Sequence, residues 1–300
     1  MYKAFRKDPK YLTNYHMKSA LTWITACVMV GLTRRPDQTH LLYFLPALLL
    51  LASTHVGIVT LGVITAVIAS YFAQGFGSPI IALGLLALSV PWALFATAIL
   101  HNAAHGNIKP RWLCRAVGEV FGLLQLVGFP DWVVIHVIHH AHPDDPEKDP
   151  HPPLGQTFWK FMLGMRASIL KVLLREYLAL WGQTAESKRQ LTRLMLASKV
   201  EQVAKITFCL LLFGPHAFAW FFAPSIVFKM IHYAWFNWAT HVQNGKDVVI
   251  LNRTTALYKI ANIFSIGLYY HQNHHKNPKL FHPGRMTARP REQDESNIAA

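Results

Sequence analysis

Residues 80–105 read IIALGLLALSVPWALFATAILHNAAH. No charge interrupts residues 80–100, and about 20 apolar residues suffice to cross the hydrocarbon core of a bilayer. The run ends on His101 and His105. Four residues apart on a helix, these histidines share one face. A membrane span that delivers paired imidazoles to its end makes this a membrane protein with its chemistry at the lipid–water boundary.

The composition agrees. Of 300 residues, 52% are hydrophobic and 15% charged, with a mean hydropathy of +0.24. Soluble domains average about a quarter charged. Outward from residue 80, residues 41–73 hold no Lys, Arg, Asp or Glu. We read them as a partial hairpin (41–53) followed by a span (about 55–74). Gln74–Pro79 is a turn. Residues 20–33 are too short to span and are assigned to the interface or a half-hairpin. Residues 106–131 are amphipathic, residues 143–153 form a Pro- and Asp-rich loop, and residues 156–200 carry charge at helical spacing. Residues 206–239 hold one charge, Lys229, and are broken by Gly214-Pro215 and Ala223-Pro224. They predict a hairpin of two spans, about 202–216 and 220–240. The expected fold is therefore all-α and membrane-integral. It has about four spans in two hairpins, interfacial helices and a cytoplasmic helical cap. Residues 1–284 form one domain and 285–300 a polar tail.

The net charge is +14 with histidine neutral. The Gln74–Pro79 and Gly214–Pro224 turns lack Lys and Arg, so the positive-inside rule puts both turns outside and both termini inside. Nucleic acid is a poor partner for so little soluble domain. The basic residues along 156–200 read first as a solvated helix face, which does not exclude their serving as a dock for an acidic partner. Three unclustered cysteines exclude a disulfide framework and a Cys-rich metal site. No removable signal peptide is expected.

Histidine carries the chemistry. There are 17, and eight fall in three clusters: His101 and His105; His136, His139 and His140; His271, His274 and His275. Many unpaired imidazoles packed together would be costly, and protonated ones would repel; a cation removes both problems. Eight or more ligands exceed the four of a typical zinc site, whereas two ions with four or five each fit. Imidazole suits iron, zinc and copper alike. No Glu-x-x-His pair is present, which argues against a carboxylate-bridged di-iron bundle. Isolated histidines (His16, His40, His55, His216, His282) read as core or interface residues. His232 reads as hydrogen-bonded within its own helix.

HxxxH, HxxHH and HxxHH between membrane hairpins resemble the membrane fatty acid desaturase and hydroxylase superfamily, the histidine-box di-iron enzymes, over roughly residues 80–283. The run from His136 to His151, with its Asp-Pro loop, is similar to the second box. Asn237-Trp-Ala-Thr-His241 is similar to a motif of the acyl-CoA desaturases. The resemblance implies nine ligands: His101, His105, His136, His139, His140, His241, His271, His274 and His275. It implies that Asn237 holds a metal-bound water. The first box is one residue shorter than in the acyl-CoA enzymes, and the third follows Gly-Leu-Tyr-Tyr rather than Gly-Glu-x-Trp. Substrate and carrier thus stay open. His142 and His151 match no ligand position and read as loop or supporting residues. Among Asp144, Asp145, Glu147 and Asp149, Asp149 is the first choice to hold a ligand imidazole.

The expected activity is an O2-dependent fatty acyl desaturation at two iron ions. The substrate is an acyl chain that is free or linked to CoA, acyl carrier protein or lipid. Trp235 and Trp238 are the best candidates to line its tunnel. No electron-carrier segment is visible, so a separate donor such as ferredoxin, rubredoxin or cytochrome b5 is expected on the basic face. A hydroxylase or ketolase acting on alkyl, acyl or carotenoid substrates is the nearest alternative. A metal transporter and a bis-His haem protein are the alternatives of other classes.

Overall fold

A computed structural model describes residues 1–33 and 78–286. The expected hairpin 41–53, the span 55–74, most of the Gln74–Pro79 turn, His40, His55 and the tail beyond residue 286 lie outside these residues.

The described chain is built mostly of helices. After a short α1 (Tyr2–Phe5), α2 runs Tyr11–Thr33, α3 Pro79–His105, α4 Arg111–Leu124, α5 Phe129–Ala141, α6 Phe158–Trp181 and α7 Ala185–Ala217. A π turn (Phe218–Phe222) leads into α8 (Ala223–Thr240), and α9 (Ala256–Phe264) and α10 (His271–Lys276) follow. The boundaries have local causes. α3 starts on Pro79, where the absent N–H is no loss, and stops at Gly106, whose φ of 71° only glycine adopts freely. α7 starts at Thr184, whose hydroxyl accepts the Ser187 N–H.

Among the described residues, two runs are long and apolar enough to cross a membrane, Pro79–His105 and Ala185–Thr240. Helices α4 and α5, bent by 100°, make a third if counted as one broken span. The Ala185–Thr240 run is not straight. Gly214 takes φ 72°, ψ 163° before Pro215, and the rings of Phe213 and Phe222 then lie 5.3 Å apart. Nine residues of uninterrupted helix would separate them by about 13 Å, so the chain doubles back. Lys205 on α7 and Lys229 on α8 accordingly reach one place. They donate to the carbonyls of Val127 (2.9 Å) and Gln125 (3.0 Å) in the α4–α5 bend. Those carbonyls end α4 and would otherwise lack donors.

Two expectations need correction. The first is α2, which begins at Tyr11, well before residue 20, and packs along α7. Its buried face mixes polar and apolar residues, Leu12, Thr13, His16 and Ala20, while Leu21, Ile24, Val28 and Met29 are exposed. The second is the all-α reading. β1 (His241–Asn244) and β2 (Asp247–Ile250) pair antiparallel, with His241 opposite Ile250 and Asn244 opposite Asp247. The Asn244-Gly245 turn drives this, with Gly245 at φ 63°. Exposed Ile80, Ile81, Leu83 and Leu88 on α3 add to the apolar outer surface. Surfaces of this kind belong against lipid.

A buried ionic cluster fastens α2 to α5 and α7. His16 touches Glu201 through Nδ1 and Asp131 through Nε2 (3.0 Å). Glu201 also accepts from Ser19 (2.6 Å) and Lys205 (2.7 Å). An imidazole with a carboxylate on each nitrogen needs both N–H groups and hence its charge. Burial alone would pull His16 toward neutrality, but Asp131 and Glu201 outweigh it and raise its pKa to about 10. The unfolded value is near 6.5. The stabilisation is therefore complete below about pH 6.5 and lost as pH climbs through about 10. Thermal stability in detergent should fall between roughly pH 7 and pH 10, more steeply in the wild type than in His16→Asn. Parallel curves would show that His16 is not the titrating group.

Candidate metal centre

The three histidine clusters and His241 meet in two adjacent groups. His101 and His105 from the end of α3, His136 and His140 from α5, and His274 from α10 form the first. His139 from α5, His241 at the start of β1, and His271 and His275 from α10 form the second. Within each group the offered nitrogens all lie within 4.8 Å of one another. Spacing of i, i+3 and i+4 puts each HxxHH on one side of its helix, but the three rings do not go to one place. Instead, the i and i+4 residues of each box turn to one group and the i+3 residue to the other. α5 and α10 do this in opposite senses, so each helix serves both groups.

The ring nitrogens face each other at close range. The Nε2 atoms of His136 and His105 lie 2.6 Å apart, those of His274 and His140 3.0 Å, and those of His241 and His271 2.9 Å. His275 Nε2 is 3.1 Å from the same His271 atom. The His101 and His139 Nε2 atoms are buried with no protein partner. A neutral imidazole carries one N–H, and His139 and His241 use theirs at Nδ1, as described below. An inward array of bare nitrogen lone pairs repels itself unless a cation sits among them. On α10, burial followed by the neighbouring imidazoles pushes the pKa values of His271, His274 and His275 down. These rings are neutral at pH 7, the form that binds metal. The donor set fits two ions, one per group.

Carboxylates fix the second group from behind. Both oxygens of Asp149 lie 3.0 Å from His139 Nδ1. Asp149 also accepts the backbone N–H groups of Asp144 (2.7 Å) and His151 (2.9 Å). The oxygens of Asp144 lie 2.9 and 2.8 Å from His241 Nδ1. Each bond puts the proton on Nδ1 and leaves Nε2 free, the usual arrangement behind a metal-bound histidine. Asp144 was only one of four acids in the loop reading. Its φ of 63°, a conformation Asp tolerates better than most residues, aims it at a ring 97 residues away in the chain. Asp145 and Glu147 are not part of this. The Asp145 side chain caps the Glu147 and Lys148 N–H groups.

His151 lies behind His139, ring centroids 4.5 Å apart. Its Nε2 takes the Tyr233 O–H at 2.9 Å. His142 is exposed. Asn237 is buried one turn before His241, and its amide donates to the Tyr233 carbonyl at 2.8 Å. Trp235 and Trp238 lie 5.3 Å apart against Phe158, and Trp238 donates to the Gln156 carbonyl at 2.8 Å. Trp132 stacks over His136 at 6.2 Å and 13°.

The family model described as fatty acid desaturase matches residues 76–296. No curated protein and no solved structure matches the chain. The matched stretch takes in both histidine groups, both supporting aspartates and the candidate spans, and with it the chain belongs to the fatty acid desaturase family.

Proposed function

We propose that the protein is an O2-dependent fatty acyl desaturase whose nine gathered histidines hold two iron ions, five ligands on one and four on the other. The observation that carries this is the division of nine buried or half-buried imidazoles into two facing groups, each with its nitrogens within 4.8 Å. When bound, two irons supply oxygen activation and hydrogen-atom removal from an unactivated C–H bond, chemistry that no side chain performs. The chain itself does the rest. Asp149 and Asp144 set the tautomers of His139 and His241. The buried setting keeps water from the reacting carbon.

His101 and His105 close one candidate span, His241 follows the end of another, and the remaining ligands gather against them. A transporter would instead place ionisable groups along the spans. A bis-His haem takes two imidazoles across the iron and leaves the plane between them to the macrocycle, a plane that the two or three further imidazole nitrogens of each group would occupy. The charge asymmetry puts this end, and both termini, on the cytoplasmic side. There the basic residues of α6 and α7 offer an acidic electron donor, of ferredoxin, rubredoxin or cytochrome b5 type, a place to dock.

Metal analysis with Mössbauer spectroscopy tests the centre. About two irons per chain with nitrogen ligation are expected, from the ligand count and the affinity of imidazole for iron. One zinc per chain would overturn the reading. Product analysis on acyl substrates then separates desaturation from its nearest rival, because an alcohol or ketone without alkene would make the enzyme a hydroxylase or ketolase.

A further inference from the structure

The expected bond of His232 within its own helix is not made, and Phe236 and Tyr269 pack directly against its ring. Open space lies elsewhere. A cleft of about 510 Å³ runs along α2 where it meets α4 and α7, within the range of about 300–1,000 Å³ usual for small-ligand sites. Two of its polar side chains are already engaged, because Ser19 and Lys205 both donate to Glu201. The remaining walls offer charge of both signs. Lys18 is exposed, and no carboxylate pairs with it among the described residues. Glu119 on α4 accepts the Tyr15 O–H at 2.6 Å and lies 3.4 Å from Arg115. A carboxylate has about four acceptor positions, so Glu119 can take a further donor. Asp8 lines the same cleft and gives one oxygen to the Lys10 N–H at 2.8 Å, leaving the other open.

These groups are ordered along α2. Trp23, packed on Phe208 with ring centroids 4.9 Å apart, lines one end of the cleft. Exposed Ile24, Val28 and Met29 continue from there as apolar surface. Lys18 stands further back along the helix, and Tyr15, which holds Glu119, lies three residues beyond it. Three residues of helix rise about 4.5 Å, a gap that a two-carbon linker between phosphate and ammonium spans. Apolar surface, cation and carboxylate thus follow one another as tail, phosphate and amine do in a membrane lipid. We propose that the cleft binds the headgroup of an ethanolamine phospholipid, with its phosphate on Lys18 and its ammonium on Glu119 and Asp8. A trimethylated amine has no N–H to give these carboxylates, so a choline headgroup fits less well. No residue lining the cleft belongs to either histidine group, so the site does not depend on what those groups hold.

The test uses delipidated full-length protein in detergent and two labelled lipids of equal net charge, dioleoylphosphatidylethanolamine and dioleoylphosphatidylcholine. Wild type should retain the ethanolamine lipid about tenfold more tightly, equivalent to about 1.4 kcal/mol. Lys18→Ala should weaken both lipids alike, by roughly fivefold, the strength of a good exposed ion pair, and Lys18→Arg should restore them. Glu119→Gln should leave retention of the choline lipid unchanged and shrink the preference to within about threefold, Asp8 keeping the rest. Circular dichroism on every variant confirms the fold. Equal retention of the two lipids by wild type overturns the proposal. So does an undiminished preference in Glu119→Gln, or wild-type retention of both lipids by Lys18→Ala. Soluble glycerophosphoethanolamine serves as competitor and should displace the lipid only at far higher concentration. Displacement at matched concentration would make the ligand a free phosphoester and overturn the assignment to lipid.

Discussion

His139→Ala should leave a folded protein that holds about one iron instead of two and forms no product above background. The ring contributes a buried Nε2 with no protein partner to the second group and is held at Nδ1 by both oxygens of Asp149. Removing it leaves three histidines of four there. The fold should survive, because Val134 and Ile138 of the same helix remain packed with Leu191 and Leu194 of α7. Activity should vanish rather than merely weaken, as expected when the group that supplies the chemistry is lost and not just misaligned. Asp149→Asn should be milder, costing roughly 10–100-fold in metal affinity, because it disturbs only the orientation and basicity of a ligand. Metal content, circular dichroism and turnover measured together decide the matter. A His139→Ala enzyme with full iron and product would remove that residue from the centre.

Glu201→Leu should destabilise the protein by about 3–5 kcal/mol, the usual effect of stripping one partner from a buried charge cluster. Glu201 is 1% exposed and receives His16, Ser19 and Lys205. Without it, Lys205 keeps only the Val127 carbonyl, and the charge on His16 rests on Asp131 alone. Glu201→Gln, which keeps hydrogen bonds but not charge, should lie between. A double variant Glu201→Leu, Lys205→Met should regain much of the loss, because apolar groups of similar volume often replace a buried ion pair without net cost. Denaturant titration in detergent measures this. A cost under about 1 kcal/mol for Glu201→Leu would mean that the cluster is hydrated and contributes as little as a surface pair.

The histidine spacing and the uncharged runs made the metal chemistry and the principal spans legible, since both are local patterns. What could not be read was long-range. His16 and Glu201 are 185 residues apart, so the polar face of α2 read as merely polar when it was shaped for α7. The splitting of each HxxHH depends on how α5 and α10 are rotated against one another, which spacing does not encode. Asp144 and Asp149 stand in one loop with two other acids, and only the folded path assigns each aspartate its ring. The β1–β2 hairpin did leave a signal, Asn244-Gly245 between β-branched residues, but a reading that follows helical period passes over it.

Both histidine groups draw on α10, which is made last: His274 enters one, His271 and His275 the other. A ribosome-bound fragment ending anywhere before residue 271 contains neither set complete. The second group, short of two of its four histidines until then, takes its full form only once the chain has passed residue 275.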